Sequence, residues 1–172
     1  MSARPPLFGQ SIKRTEDPRL LRGEALFVDD LNPPDLLHVA IVRSVHAHAA
    51  LLHVDVGAAR AHPGVHAVYT ADDLRSLMTP GPLLVPPPPI PGLTFNTRTQ
   101  TPLARGKVRH VGEAIAVIVA DSRYVAEDAA ELVLVDVDSL DAVVELDTAL
   151  APNAPLVHDD LPSNLAAHVA QR

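Results

Sequence analysis

Residues 114–120 read AIAVIVA, seven apolar residues with no polar alternation. A half-exposed strand alternates and a surface helix repeats every three or four residues, so this run fits the centre of a sheet covered on both faces. It is far shorter than the roughly 20 residues a bilayer span needs. The next stretch of chain is equally constrained. Asp121-Ser122 offers an N-cap, and RYVAEDAAEL then forms a helix. Val125, Ala129 and Leu132 make its apolar stripe, with Ala126 and Ala130 beside them, while Glu127, Asp128 and Glu131 face water. Val133 to Asp138 is a further strand. Strand, helix and strand in such quick succession are expected to form a βαβ unit with a right-handed crossover.

Upstream, LLHVAIVR (residues 36–43) predicts a strand buried on both sides, and LLHVDV (51–56) one half-exposed at His53 and Asp55. GAARA is a short helical turn stopped by His62-Pro63-Gly64, and Val65 to Tyr69 is a third strand. Thr70 with Asp73 three positions on resembles a capping box, predicting a helix through about Leu77. Ala142 to Leu146 reads as one more strand, with a short helix over Asp147 to Leu150. The first 34 residues show little periodicity: an extended piece at Ala25 to Val28, and turns at Asp17-Pro18 and Asn32-Pro33-Pro34. From Thr79 to Pro102 prolines dominate, including four in a row at Pro86 to Pro89, which excludes a helix or a central strand there. The class is α/β, an α+β mixed sheet. The divisions are an N-terminal extended segment (1–34), a core domain (35–150, with the proline-rich excursion at 79–102) and a turn-rich C-terminal stretch (151–172).

Composition narrows the chemistry. A net charge of −7 and the absence of a Lys/Arg cluster exclude nucleic acid as a natural partner. There is no cysteine, hence no disulfide, thiol nucleophile or iron–sulfur ligand in these residues. The N-terminus lacks the apolar stretch of a signal peptide, which points to a cytoplasmic location. RSVHAHA (43–49) places His46 and His48 two apart, on one face of an extended backbone. A metal would need a third ligand, and none stands at recognisable spacing, so the segment reads as architecture. The serines lack G-x-S-x-G surroundings, and no Gly-rich phosphate cradle occurs. The adjacent carboxylates Asp29-Asp30, Asp72-Asp73 and Asp159-Asp160 fit turns and caps. In VRHVGEAIAVIVA, Gly112 enters the buried strand, suggesting a bulge or a close backbone approach. Glu113 either lines a cavity there or is a strand-edge carboxylate paired with Arg109 or His110. No self-sufficient active site emerges.

Five segments in order carry a resemblance: DPRLLRGEALFVDD, RSVHAHA, VDVGAARAHPGVHAVYTADDL, GKVRHVGEAIAVIVADSRYVAEDAAELVLVDV and APLVHDDLPSN. Together, from about Gly9 to Asn164, they resemble the N-terminal α/β hammerhead domain of molybdenum hydroxylase large subunits. These are the xanthine dehydrogenase, aldehyde oxidase and carbon monoxide dehydrogenase family, and the bacterial carbon monoxide dehydrogenase-like subunits are the most similar.

The resemblance implies that Arg43, His46 and His48 belong to a structural connection and bind no metal. Gly112 and Glu113 would approach the substrate channel of an assembled enzyme. The molybdopterin cofactor and the catalytic glutamate would lie outside these residues, with iron–sulfur clusters and FAD on partner chains. No catalytic residue is carried over. The family's Tyr-Glu-Pro-Leu-Pro turn is here VDSLDAV (137–143), and Ala114 replaces the proline common after VGE. The implied partners are molybdopterin-binding domains, of the same subunit or a split one, and iron–sulfur and flavin subunits. An exposed apolar patch, normally covered by those domains, would also permit a homodimer. Three readings are open: the scaffold portion of such an oxidoreductase, a free-standing protein-binding module, or, remotely, a His-dependent metal-binding protein.

Overall fold

The computed structural model describes residues 8–77, 90–95 and 101–170. The proline run at 86–89 lies outside them. The chain divides into two compact units, Met1–Leu36 and Leu37–Arg172.

In the first unit, α1 (Asp17–Leu21) is a five-residue helix. The Asp17-Pro18 pair was expected to mark a turn. Proline instead occupies the first helical turn, where its missing N–H would be unpaired anyway. Phe27 is extended, as expected for Ala25 to Val28, but the piece ends at Val28, where a 3-10 turn over Val28–Asp30 closes the segment, and the Asp30 carboxylate accepts the Phe27 N–H at 2.9 Å. Neither element buries a residue.

The second unit runs β1 (His38–Arg43), β2 (Ala49–Asp55), α2 (Gly57–Ala61), β3 (Val65–Thr70), β4 (Leu93–Phe95), β5 (Lys107–Val108), β6 (Ala114–Ala120), α3 (Arg123–Glu131), β7 (Leu134–Ser139) and β8 (Ala167–Val169). One sheet has the order β1-β6-β3, a second β5-β2-β7, and β4 pairs with β8. Every pairing is antiparallel. The expected strand at the centre is therefore there, with a partner on each side. The expected βαβ crossover is not. α3 carries the chain from β6 to β7, but β7 joins the other sheet, beside β2. Local periodicity specifies strand, helix and strand without saying which neighbour each strand will take.

α2 and α3 cover one face of the first sheet. Val56, Ala59, Val68, Ile118, Ala120, Ala126, Ala129 and Val133 form this core, with Ile118 fully buried. Ala126 and Ala129 let α3 sit close, and Ser122 caps it, its hydroxyl accepting the Val125 N–H. A second cluster, Ala49, Ala104, Val108 and Ile115, lies against the second sheet. β1 alternates between half-buried and exposed residues instead of being covered on both faces, because only Ala40 and Val42 reach the helical side.

Thr70 and Asp73 make half of the expected capping box. The Asp73 carboxylate accepts the Thr70 N–H (2.7 Å) and hydroxyl (2.8 Å), and the Arg60 guanidinium (2.9 Å). Arg60 also donates to the Val68 carbonyl at 3.0 Å. No helix develops, only turns over residues 71–77, because Leu77 stays exposed and no apolar stripe stabilises continuation. Ala142 to Leu146 is not a strand either. It finds no partner ladder among the described residues, and a 3-10 turn over Leu146–Thr148 stands where the short helix was expected.

Ile118→Ala should lower stability by about 3 kcal/mol in urea unfolding, and Ser122→Ala by about 1 kcal/mol. The Thr70 N–H and hydroxyl, then Arg60, hold the Asp73 carboxyl below its ordinary value of 3.8. A depressed carboxylate contributes stability above the unfolded pKa and loses it as pH falls through the folded one. Asp73→Asn should therefore weaken the fold at pH 7, with the gap from the parent closing below pH 3.8.

Candidate functional site

RSVHAHA joins β1 to β2, and its serine is its anchor. Ser44 is 5% exposed and Glu113 3%, and both sit at one junction. The Ser44 N–H donates to the Glu113 carbonyl (2.9 Å), and the Ser44 carbonyl accepts the Gly112 N–H (2.8 Å). This exchange extends the β1–β6 ladder past the strand ends. The Arg43 guanidinium adds a bond to the Gly112 carbonyl at 2.9 Å. The Ser44 hydroxyl donates to the His46 carbonyl (2.9 Å) and accepts the His46 N–H (3.0 Å), closing a tight turn. It is committed to backbone, not to an imidazole, so serine and histidine here do not form a nucleophile–base pair.

His48 binds the other sheet. Its Nδ1 lies 2.7 Å from the Asp141 carbonyl, and its own carbonyl accepts the Leu140 N–H at 2.9 Å. Because a carbonyl only accepts, Nδ1 is the donor of this pair. The other ring nitrogen, Nε2, is buried without a hydrogen-bond partner. His38 and His53 stand on strands of different sheets. Among the described residues no group of three or more His, Asp or Glu could hold a metal ion.

The Glu113 carboxylate accepts the Arg109 N–H, and its Oε2 lies 3.7 Å from His110 Nδ1. Glu113 thus ties down the turn that leads into β6. Gly112 has φ +85, and a Cβ there would meet nothing within 4 Å. A left-handed backbone, not the close approach expected from the sequence, is what calls for glycine. The irregularity foreseen near it lies three residues on. Val42 and Arg43 face Ala116 and Ala114, leaving Ile115 as the extra residue.

A cleft of about 480 Å³ opens elsewhere, lined among others by Leu51, His53, Asp72, Arg75, Arg105 and Ile115. Asp72 is engaged with Arg75 at 2.7 Å. Gly112, Glu113, His46 and His48 do not line this cleft.

Sequence reasoning missed the clamp on residues 149–164. Lys107 Nζ meets the Asp159 carboxylate at 2.7–2.8 Å and holds that carboxyl below its usual range. Arg109 donates through Nε to the Val157 carbonyl at 3.1 Å. The Asn164 amide donates to the Ala149 (3.0 Å) and Pro155 (2.9 Å) carbonyls and accepts the Val157 N–H (2.9 Å). A signal existed: two cations two residues apart on an extended backbone share a face.

The family model described as aldehyde oxidase and xanthine dehydrogenase, a/b hammerhead domain, matches residues 22–141. The chain belongs to this family. The carbon monoxide dehydrogenase large chain of Afipia carboxidovorans is 40% identical over 161 residues, covering 93% of this chain and 19% of its own length. The nicotine 6-hydroxylase large subunit of Paenarthrobacter nicotinovorans is 33% identical over 159 residues, 92% of this chain and 19% of that one. The crystal structure of quinoline 2-oxidoreductase from Pseudomonas putida 86 superposes with a TM-score of 0.79 at 40% identity, over 92% of this chain and 19% of that one. The hammerhead chain spans about a fifth of the length of these relatives.

The molybdopterin that the resemblance implies finds no fitting holder among the described residues of this hammerhead domain. Its buried polar residues, Ser44 and Glu113, are engaged by main-chain groups. Of the cleft's two arginines, Arg75 is already paired with Asp72, and Leu51, Leu52, Val54 and Ile115 make much of the remaining wall.

Gly112→Ala should cost about 1–2 kcal/mol from backbone strain alone, since the space is open. Glu113→Ala should cost about 1–3 kcal/mol by orphaning the Arg109 N–H. Both can be read as midpoint shifts in denaturant.

Proposed function

We propose that this chain acts as the hammerhead portion of the large subunit of a molybdopterin-dependent oxidoreductase, supplying scaffold and no reacting group. One observation carries the reading. The side chains that RSVHAHA and VGE commit, Arg43, Ser44, His48 and Glu113, go to backbone groups of the same unit, which makes these motifs devices for holding loops. The family match over residues 22–141 supports the enzyme class. The whole enzyme oxidises an aldehyde, a heterocycle or carbon monoxide, and passes electrons to iron–sulfur and flavin partners in the cytoplasm. Residues 1–34 are its N-terminal segment, 35–150 the hammerhead and 151–172 the linker to the molybdopterin-binding domains. Gly112, with open space on its side-chain side, approaches the substrate channel, and Glu113 stands behind it as the support of that turn.

The purified chain should show a cooperative unfolding transition, carry no molybdenum by elemental analysis and turn over no aldehyde. It should co-elute with a molybdopterin-domain polypeptide. Stoichiometric molybdenum on the chain alone would overturn the assignment.

A further inference from the structure

β5 is only two residues long, and this leaves a space beside β2. Lys107 and Val108 pair with Ala50 and Ala49, and the Gly106 carbonyl accepts the Leu51 N–H at 2.9 Å. Beyond Leu51, no strand among the described residues pairs with β2 on that side. The cleft of about 480 Å³ opens along this stretch. Its floor is Ala104 and Ile115, each 4% exposed, the latter being the extra residue of the β6 bulge. Leu51, Leu52 and Val54 continue the apolar wall. Small-molecule sites enclose roughly 300–1,000 Å³ and are mainly apolar, with a few polar groups that fix orientation. The surroundings are braced by hydrogen bonds to the main chain: the Ala104 N–H donates to the Ala114 carbonyl at 2.7 Å, and the Asp73 carboxylate holds the Thr70 N–H at 2.7 Å.

The polar groups of the cleft are unequally engaged. Its one lining carboxylate, Asp72, is taken by Arg75 at 2.7 Å, and the Thr70 hydroxyl donates to Asp73 at 2.8 Å. The Arg105 guanidinium has no hydrogen bond or ion pair among the described residues, although acids outnumber bases 21 to 14 in the chain. The cleft therefore carries one uncompensated positive charge beside a hydrocarbon surface.

We propose that this cleft binds a small monocarboxylic acid with an aromatic or branched hydrocarbon body. The carboxylate meets the Arg105 guanidinium, whose fork of N–H donors matches two carboxylate oxygens, and the hydrocarbon lies against Ile115, Ala104 and Leu51. A phosphate or a dicarboxylate suits the cleft less well. It would bring a second negative charge to a site where the other arginine is already neutralised. This goes beyond the scaffold reading and concerns one unit of the chain, so it stands or falls separately from the enzyme class.

The test is titration of the isotope-labelled full chain with phenylacetate, followed by amide-resolved NMR. Shifts should saturate at Leu52, Arg105 and Gly106 and be absent at Glu127 on the outer side of α3, with a dissociation constant of about 1 mM or tighter. Phenylacetamide, which lacks the charge, and acetate, which lacks the hydrocarbon body, should each bind about tenfold more weakly. Arg105→Gln should lose about tenfold in affinity, and Arg105→Lys should recover part of it. Both changes fall on an exposed side chain, and unchanged shifts elsewhere in the spectrum check the fold. Four results overturn the inference: shifts that do not saturate, shifts scattered outside the cleft, an amide or inorganic phosphate that binds as tightly as the acid, or an Arg105→Gln chain that binds as the parent does. Equilibrium dialysis of labelled phenylacetate against the assembled enzyme gives a further check. Binding retained there supports a ligand site, and binding lost on assembly makes the cleft an internal seam and sinks the inference while leaving the functional reading intact.

Discussion

The structure depends on a strand that carries no polar side chain. Ala114 to Ala120 cannot sit at an edge or face water, so the chain must supply a hydrogen-bonding neighbour on each side and apolar cover above and below. β1 and β3 provide the neighbours. α2 and α3 provide cover on one face, and they do it with alanines, which bring helix and sheet together without bulky interdigitation. With three Phe, two Tyr and no Trp in 172 residues, close approach replaces large rings as the source of packing. The turn that enters this strand is then fixed by Ser44, Gly112 and Glu113, so the sequence segments richest in apparent functional signal are anchors for its first residue.

Much of the local structure could be read from the residues. β6 matches the apolar run residue for residue, α3 begins where Ser122 offers a cap, and GAARA is helical over its whole length. Pairing could not be read. A helix that returns the chain over a sheet can deliver the next strand to that sheet or to a neighbouring one, and the alternation of LVDVDS is satisfied by either. The residues at Thr70 gave a start signal whose carboxylate is also claimed by Arg60, and without an apolar face the helix did not propagate.

The site was legible in kind more than in detail. Two histidines at i and i+2 suggested either ligands or architecture, and the residues around them show what the segment holds: Ser44 binds the His46 main chain and His48 the Asp141 carbonyl. That Ser44 would be the buried member of the segment was not visible, because a serine beside a histidine gives no hint that its hydroxyl will bind the histidine's main chain. Lys107 and Arg109 could be placed on one face, but their partners lie about fifty residues away, and those of Asn164 are main-chain groups that the sequence does not mark.

Asn164 concentrates many bonds in one group, and that has a consequence for how its loop comes apart. A single amide answers three main-chain positions drawn from residues 149, 155 and 157. Its loss releases three main-chain positions at once and leaves the stretch to Lys107 and Arg109 alone, which hold it only at Asp159 and Val157: the loop has a few concentrated fastenings where a ladder would have many equal ones.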